Sequence, residues 1–483
     1  MLLAAASLAA AAASTASAAR IRGTPRNDRI QAENGARDTV SCGRGRDVVT
    51  ADGFDRVASD CEVVTRQISR DPFRNPESQH ETQVEPDTFA AGSSVLAVFQ
   101  SGRIFSGAAA DIGFSLSRDR GRTWRRGFLP SMTPFSTPPG AWPRVSDPSA
   151  AYDAQHHVWL VASLAVAGQS SAVLVSRSTD GLHWGAPVTA TLAPTIGPLL
   201  LDKEWIVCDN GTRSVFRGRC YVSYSDFRTN RVSVQTSLDG GLTWSEPVGS
   251  PDFGGRASLL GAYAPGVQPV VRPDGMLVVP YYDETQLSAI RSTDGGATFS
   301  TAATVSAARY HLRRTRPPFR ASPLPSAEAD AAGTLYVAWP DCAPAASCGR
   351  NTLVVSHSTD GVSWSVPARV PTGSADAEVP GLAADPATPG RLALSYYTLA
   401  GGRLDVWLVS SRDGGATWTR PQRLNARSVP LDWIASTDGG LMVGDYISTS
   451  FASGRAVAVF VLARRPTGGR LHESAFATSL TVR

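Results

Sequence analysis

One short pattern recurs six times in this 483-residue chain. Residues 117–124 read S-x-D-x-G-x-x-W, and residues 237–244 and 411–418 match. Residues 292–299 carry Phe in place of Trp, and residues 178–184 and 358–364 are one position shorter. Each copy follows a short run with strand character, such as residues 172–175 or 231–234. Asp and Gly then favour a tight turn, in which the Asp carboxylate and Ser hydroxyl bond the turn's N–H groups. The Trp opens the next strand and is expected to pack back onto the hairpin. The string therefore reads as a clasp that closes a β-hairpin.

Each clasp sits late in a longer unit. One unit opens at Pro325-Ser326-Ala327-Glu328, continues with strand-like residues 333–339 and 353–356, reaches its clasp, and adds a fourth strand after it. Four-stranded units repeated radially make a β-propeller, so the expected fold class is all-β, without helices of any length. The clasps begin at residues 117, 178, 237, 292, 358 and 411, a spacing of roughly 59 residues that leaves room for about seven units between Glu85 and Arg483. Unit openings also count to seven: Glu85-Pro86, Asp147-Pro148, Asp202-Lys203-Glu204-Trp205, Gln268-Pro269, Pro325-Ser326, Val379-Pro380 and Val443-Gly444-Asp445-Tyr446. The last unit lacks a clasp, and residues before Glu85 are expected to supply its missing strand.

Composition supports this reading and excludes others. The 44 Gly and 33 Pro suit a turn-rich chain, and 42% hydrophobic residues suffice for a core. A formal net charge of +4 is too small to suggest nucleic-acid binding. Residues 1–19 are Ala- and Leu-rich, end in Ala16-Ser17-Ala18 and read as a signal peptide, although no positive charge precedes the apolar run. No second apolar run long enough to span a membrane follows, so a secreted or cell-surface protein is expected. The six cysteines allow many pairings, and proximity favours Cys42–Cys61, Cys208–Cys220 and Cys342–Cys348.

Residues 20–64 differ from the rest. Asn34 to Val40 and Gly43 to Val49 align with a nine-residue offset that places Asp38 and Asp47 in register. A nine-residue period of Gly, Asp and an aliphatic residue resembles the haemolysin-type calcium-binding β-roll. The resemblance implies Ca²⁺ at Asp38 and Asp47. Arg at several turn positions departs from it, and a metal-free structural cap is the alternative. The expected organisation is a signal peptide at 1–19, a roll-like segment at 20–64, a linker or closing strand at 65–84, and the propeller at 85–483.

The six clasps resemble the Asp box, or BNR repeat, of the sialidase superfamily, and residues 80–483 are similar to bacterial exo-α-sialidase-type proteins. The matching stretches include VEPDTFAAG at Glu85, DKEWIVCDN at Asp202, LPSAEAD at Glu328 and MVGDYISTSF at Asp445. The resemblance implies that the clasp aspartates lie on the rim, away from chemistry. Six blades, the sialidase number, is the alternative to seven. It also implies cleavage of a terminal sugar by an Asp acid/base, a Tyr nucleophile activated by Glu, and an Arg clamp for the substrate carboxylate. Inner strands line a propeller's channel, and the unit openings supply them. On that basis Tyr446 and Asp445 are catalytic candidates, with Glu328 or Glu85 as activator and Asp111 or Asp147 as acid/base. Arg103, Arg144 and Arg316 are clamp candidates. Asp202, Glu204 and Lys203, the single Lys beside 45 Arg, join the substrate-binding set. No catalytic cofactor is implied, and a monomer acting on a glycan is expected. A non-catalytic propeller that binds glycan or protein is the rival reading, followed by a structural surface protein.

Overall fold

A computed structural model describes residues 17–168, 170–193, 201–227, 229, 231–251, 266–312, 315, 317–342 and 348–482. Arg316 and nearly all of the expected signal peptide lie outside these residues. The chain is all-β, and the one helical element among the described residues is the single turn Leu431–Trp433. No described helix is long and apolar enough to cross a membrane.

Most strands sort into groups of four joined by antiparallel pairing. The first group is Gln83–Ala91, Ser94–Arg103, Ala109–Ser117 and Arg125–Phe128; the second runs from Arg144–Asp153 to Val188–Ala193. Four further groups open with Leu201–Cys208, Val270–Val271, Ser326–Ala329 and Asp376–Ala384. The last comprises Ser448–Ala452, Arg455–Ala463 and Glu473–Thr481, and Val63–Gln67 completes it by pairing with Glu473–Thr481.

The apolar residues form layers between successive groups rather than one central core. Leu96 and Phe114 meet Trp159 and Leu174; Leu160 and Val173 meet Ile206 and Val222; Tyr221 and Val234 meet Val279 and Ile290. The layers continue with Ala289 against Trp339, Tyr336 against Leu394, and Tyr397 against Phe460. A final layer sets Val459 and Ala477 against Ala97 and Phe99, so the last group packs on the first. The opening strands also lie side by side in sequence, the last against the first. Each fully buried Val, Leu or Phe contributes about 1.5–3 kcal/mol, so stability is distributed around the ring.

The six recurrent turns share one geometry. In each, the Ser hydroxyl accepts the N–H of a Gly with φ between 70° and 89°: Gly121, Gly181, Gly241, Gly296, Gly361 and Gly415. The Ser also donates to its Asp, as in Ser237 to Asp239 at 2.9 Å. The Trp reaches further than the expected hairpin contact. Trp184, Trp244, Trp364 and Trp418, and Phe299 in the variant copy, pack into the layer shared with the preceding group. The clasp thus fastens neighbouring sheets as well as its own turn.

Residues 20–67 form two small parallel sheets. Arg20–Arg22, Thr39–Ser41 and Arg56–Val57 make one; Arg29–Gln31, Val48–Ala51 and Val63–Gln67 make the other. Ile30, Val40 and Val49 fill the space between them, and the Cys42–Cys61 disulfide staples the segment. Val63–Gln67 belongs to both this roll and the last four-stranded group, which fuses the two. Asp38 and Asp47 are buried, and each caps a backbone N–H one turn back: Ala19 to Asp38 at 2.6 Å and Asp28 to Asp47 at 2.7 Å. Asp55 and Glu62 repeat the pattern on the N–H groups of Asp38 and Asp47. Among the described residues, the one cluster of three acidic, His or Cys ligand atoms within 4.8 Å is Cys42, Asp60 and Cys61, and its sulfurs are already joined. The other disulfides are Cys208–Cys220 and Cys342–Cys348.

Because the strands alternate in direction, the start of each opening strand lies at the opposite end of the ring from the turn after the third strand. The unit openings therefore gather at one mouth, and the six clasps occupy the far rim.

Candidate functional site at the mouth

Four opening strands carry an irregularity at the same place. Their register shifts between Val84 and Asp87, Ser146 and Ser149, Asp202 and Trp205, and Glu378 and Gly381. Within each shift lies a non-Gly residue in the left-handed region: Glu85 (φ 53°), Asp147 (49°), Lys203 (47°) and Val379 (50°). That conformation is strained for any residue with a Cβ, and bulges re-aim side chains. Four equivalent positions thus present two acids, an ammonium and an apolar group.

A continuous polar chain links four ionisable groups at the mouth. Ser146 donates to Asp147 at 2.8 Å, and the Gln100 amide donates to Ser146 at 3.0 Å and to the Glu85 carboxyl. The backbone N–H of Asp445 points to Glu85 at 3.4 Å. Arg320 then grips Asp445 through two bonds, Nε to Oδ1 at 2.9 Å and Nη2 to Oδ2. Arg320 arrives from a different part of the ring. Its connection, between Ala303–Ala307 and Ser326–Ala329, runs alongside Leu441, with Arg320 N donating to Leu441 O at 2.8 Å.

Beside this chain, the Lys203 ammonium lies 3.8 Å from the Tyr446 ring centroid and 4.1 Å from that of Trp205. The two rings meet edge to face at 5.0 Å. Such cation–π contacts strengthen when desolvated. The Tyr446 hydroxyl donates to Pro148 O at 3.0 Å.

Burial dominates the electrostatics. It pushes the Glu85 carboxyl well up, reinforced by the charges of Asp147 and Asp445 and opposed by Arg320. It raises Asp202 to about 7, with Asp147 adding to the effect, and Asp87 to about 6. Glu328 is lifted to about 8 by burial and the nearby Asp87. Glu204 is fully buried, neither of its oxygens has a hydrogen-bond partner, and burial again pushes it well up. Burial pulls the Lys203 ammonium down, against the charges of Asp147, Glu204 and Glu85. The Asp445 charge, outweighing burial, holds Arg320 more firmly protonated than usual. Burial also lifts the Tyr446 phenol well up, with the Glu85 charge adding to it. Asp202, Glu328, Asp445 and Arg320 remain half-open to solvent, whereas Glu85, Asp147, Lys203 and Glu204 are buried behind them. The mouth therefore sets partly exposed groups, with Asp202 lifted to about 7 and Glu328 to about 8, in front of a buried rank in which desolvation pushes Glu85 and Glu204 up and Lys203 down.

Of three further expected site residues, Asp111 and Arg144 make no bond to this network among the described residues, whereas Arg103 lies close enough to feel the charges of Glu85, Arg320 and Asp445. Asp111 is buried on a third strand, where its own neighbour Ile112 N–H caps it at 2.9 Å; burial raises it to about 8. Arg103 is buried and donates to the backbone carbonyls of Ile104 and Ala108. Arg144 donates to Ser106 at 2.9 Å and lies 4.0 Å from Glu77. Asp87, Gln100, Trp205 and Arg320 belong to the site but were not singled out from the sequence. Trp205 and Asp87 follow the bulges of their strands by two residues, an offset that could have flagged them. Arg320 has no comparable local signal, because its partner is 125 residues away.

No family model matches the chain, and no curated protein matches it. It is similar in shape to a leech intramolecular trans-sialidase, at 12% identity and TM-score 0.46, over 66% of this chain and 65% of that one. The chain thus spans just under two thirds of the leech enzyme. A PL25 ulvan lyase aligns at 11% identity and TM-score 0.48, over 83% of this chain and 95% of the lyase. The α-L-arabinanase of Penicillium chrysogenum aligns at 13% identity and TM-score 0.44, over 86% and 97% of the two chains.

Proposed function

We propose that this protein is a secreted, monomeric glycan-processing enzyme that hydrolyses glycosidic bonds at the mouth. In this reading the four-stranded groups are seven blades of a closed β-propeller, occupying 85–483. Residues 20–64 form a cap that holds its shape without calcium, after a signal peptide at 1–19. The three disulfides are compatible with an oxidising compartment.

The observation that carries the reading is the polar chain from Asp147 through Glu85 to Asp445 and Arg320. Glycoside hydrolysis needs one carboxyl that keeps its proton to protonate the leaving oxygen, and a second that is ionised. Glu85 suits the first role, because burial and its acidic neighbours oppose its ionisation. Asp445, charge-paired with Arg320, suits the second. Arg320, partly exposed beside Asp445, is the cation best placed to meet an acidic sugar, which favours sialidase-like substrates within the glycoside class. Tyr446 could act as nucleophile only after its hydroxyl leaves Pro148 O and a base takes the proton.

The same bond favours a second reading, a non-catalytic glycan-binding propeller. There Tyr446 holds Lys203 in place, and the buried carboxyls serve as hydrogen-bond partners for a ligand.

A panel of fluorogenic glycosides that includes sialosides, applied to the mature protein and to Glu85→Gln, tests the proposal. At least one substrate should be turned over, and Glu85→Gln should lose at least ~100-fold, the lower range for a general acid. A panel without turnover, or a variant as active as the parent, would overturn the enzymatic reading.

A further inference from the structure

Away from the mouth residues, a small cleft of about 160 Å³ opens between the N-terminal roll and the last two groups of the ring. Gln31, Glu33 and Thr50 line it from the roll, and residues 427–429, Trp433 and residues 462–465 line it from the ring.

The lining is mixed in a specific way. Val429, Leu462, Ala463 and Trp433 give an apolar wall. Arg427 stacks on the Trp433 ring, with its guanidinium carbon 5.2 Å from the centroid. Arg427 and Arg465 are exposed, and neither side chain has a carboxylate partner among the described residues. Arg464 points Nε toward Glu33 Oε1 at 4.0 Å, and the other oxygen of this buried Glu33 carboxyl has no hydrogen-bond partner. Burial, ahead of the opposing Arg464 charge, lifts Glu33 to about 8, so near neutrality it is largely uncharged and able to donate a hydrogen bond.

Two free guanidinium groups call for an anion that accepts paired N–H bonds, and a carboxylate does so bidentately. A bare inorganic anion has no use for the apolar wall. A sugar ring does, because its C–H faces pack on aromatic and aliphatic side chains while its hydroxyls find polar partners. We propose that this cleft binds an anionic saccharide unit, with Arg427 and Arg465 taking its carboxylate, Trp433 bounding its ring and Glu33 bonding a hydroxyl. The cleft also lies at the mouth end of the ring, since residues 462–465 close a second strand that ends there. The site stands independently of hydrolysis, because binding is measured directly.

Isothermal titration of the mature, disulfide-bonded protein with a galacturonate tetrasaccharide and with its methyl ester tests the proposal. The acid should bind at least ~10-fold more tightly than the ester. Arg427→Gln combined with Arg465→Gln should weaken the acid at least ~10-fold with the melting temperature unchanged. Trp433→Ala should weaken it too, whereas Glu85→Gln should leave it unaltered, which separates this cleft from the mouth. Equal affinity for acid and ester, no binding of the acid, or full affinity in the double Arg variant would each overturn the proposal.

Discussion

The two ends of the ring treat the same functional group in opposite ways. On the clasp rim, Asp239 accepts N–H groups from Leu242 and Thr243, both at 2.9 Å, and hydroxyls from Ser237 and Thr243. Against a desolvation cost, these bonds hold it at about 2. Asp413 is held at about 2 by the Thr417 hydroxyl and N–H and by Ser411. At the mouth, Glu204 has no hydrogen-bond donor, and Glu85 has the Gln100 amide and one long backbone contact. A carboxylate with a full set of donors fastens a turn. One buried with too few donors costs stability, which is the mark of a group kept for chemistry.

Substitutions at the two ends should therefore separate function from stability. The largest expected effect is at Asp445→Asn, which removes the charge that Arg320 grips. Turnover should fall at least ~100-fold, about 2.7 kcal/mol in the barrier, as measured by steady-state kinetics on the best substrate of the panel. Lys203→Gln should lower turnover by roughly 10-fold, since it removes a desolvated cation–π contact of about 2 kcal/mol near the acids. If either variant keeps full activity while a clasp variant loses it, the assignment of the two ends is reversed.

The same acid-to-amide change should also move stability in opposite directions. Asp239→Asn removes an acceptor from the clasp and should cost about 1 kcal/mol in urea unfolding, with turnover unchanged. Glu204→Gln should instead raise the melting temperature above pH 7, because the amide carries no ionisation cost. The pH dependence of the parent follows the same logic. A buried carboxyl with a raised folded value stabilises fully below its unfolded value near ~4, and that contribution is lost as pH rises through the folded value. With Asp87 at about 6, Asp202 at about 7 and Glu328 at about 8, the mouth's contribution should decline between about pH 4 and 8. The clasp contribution runs the other way, present above ~4 and lost as pH falls through about 2. Thermal melts from pH 2 to 9, repeated on Glu204→Gln and Asp239→Asn, would check both slopes.

Much of the frame is legible in the sequence because it rests on local chemistry. A turn that needs Ser, Asp and a left-handed Gly within a few residues announces itself six times, and cysteines 6 to 19 residues apart found each other. The unit openings were legible too, since Glu85-Pro86, Asp147-Pro148 and Val379-Pro380 share one offset. The left-handed bulges were not, because the strain at Glu85 or Lys203 is imposed by the surrounding sheet. Arg320 was hidden for a different reason: its connection crosses to a distant part of the ring, and no period in the chain encodes that crossing. Arg103 reads from the sequence as an available Arg near a strand end; in the fold it is buried, with Nη1 donating to the Ile104 and Ala108 carbonyls, Nη2 against Met442 Sδ and Nε without a hydrogen-bond partner.

The contrast between the two ends can be measured directly by carbon-13 NMR of carboxyl-labelled protein near pH 6. The expected spectrum shows ionised resonances for the clasp aspartates and a neutral carboxyl resonance that disappears in Glu85→Gln. A spectrum in which every mouth carboxyl is already ionised at that pH, with no neutral resonance lost on substituting Glu85, would contradict the account.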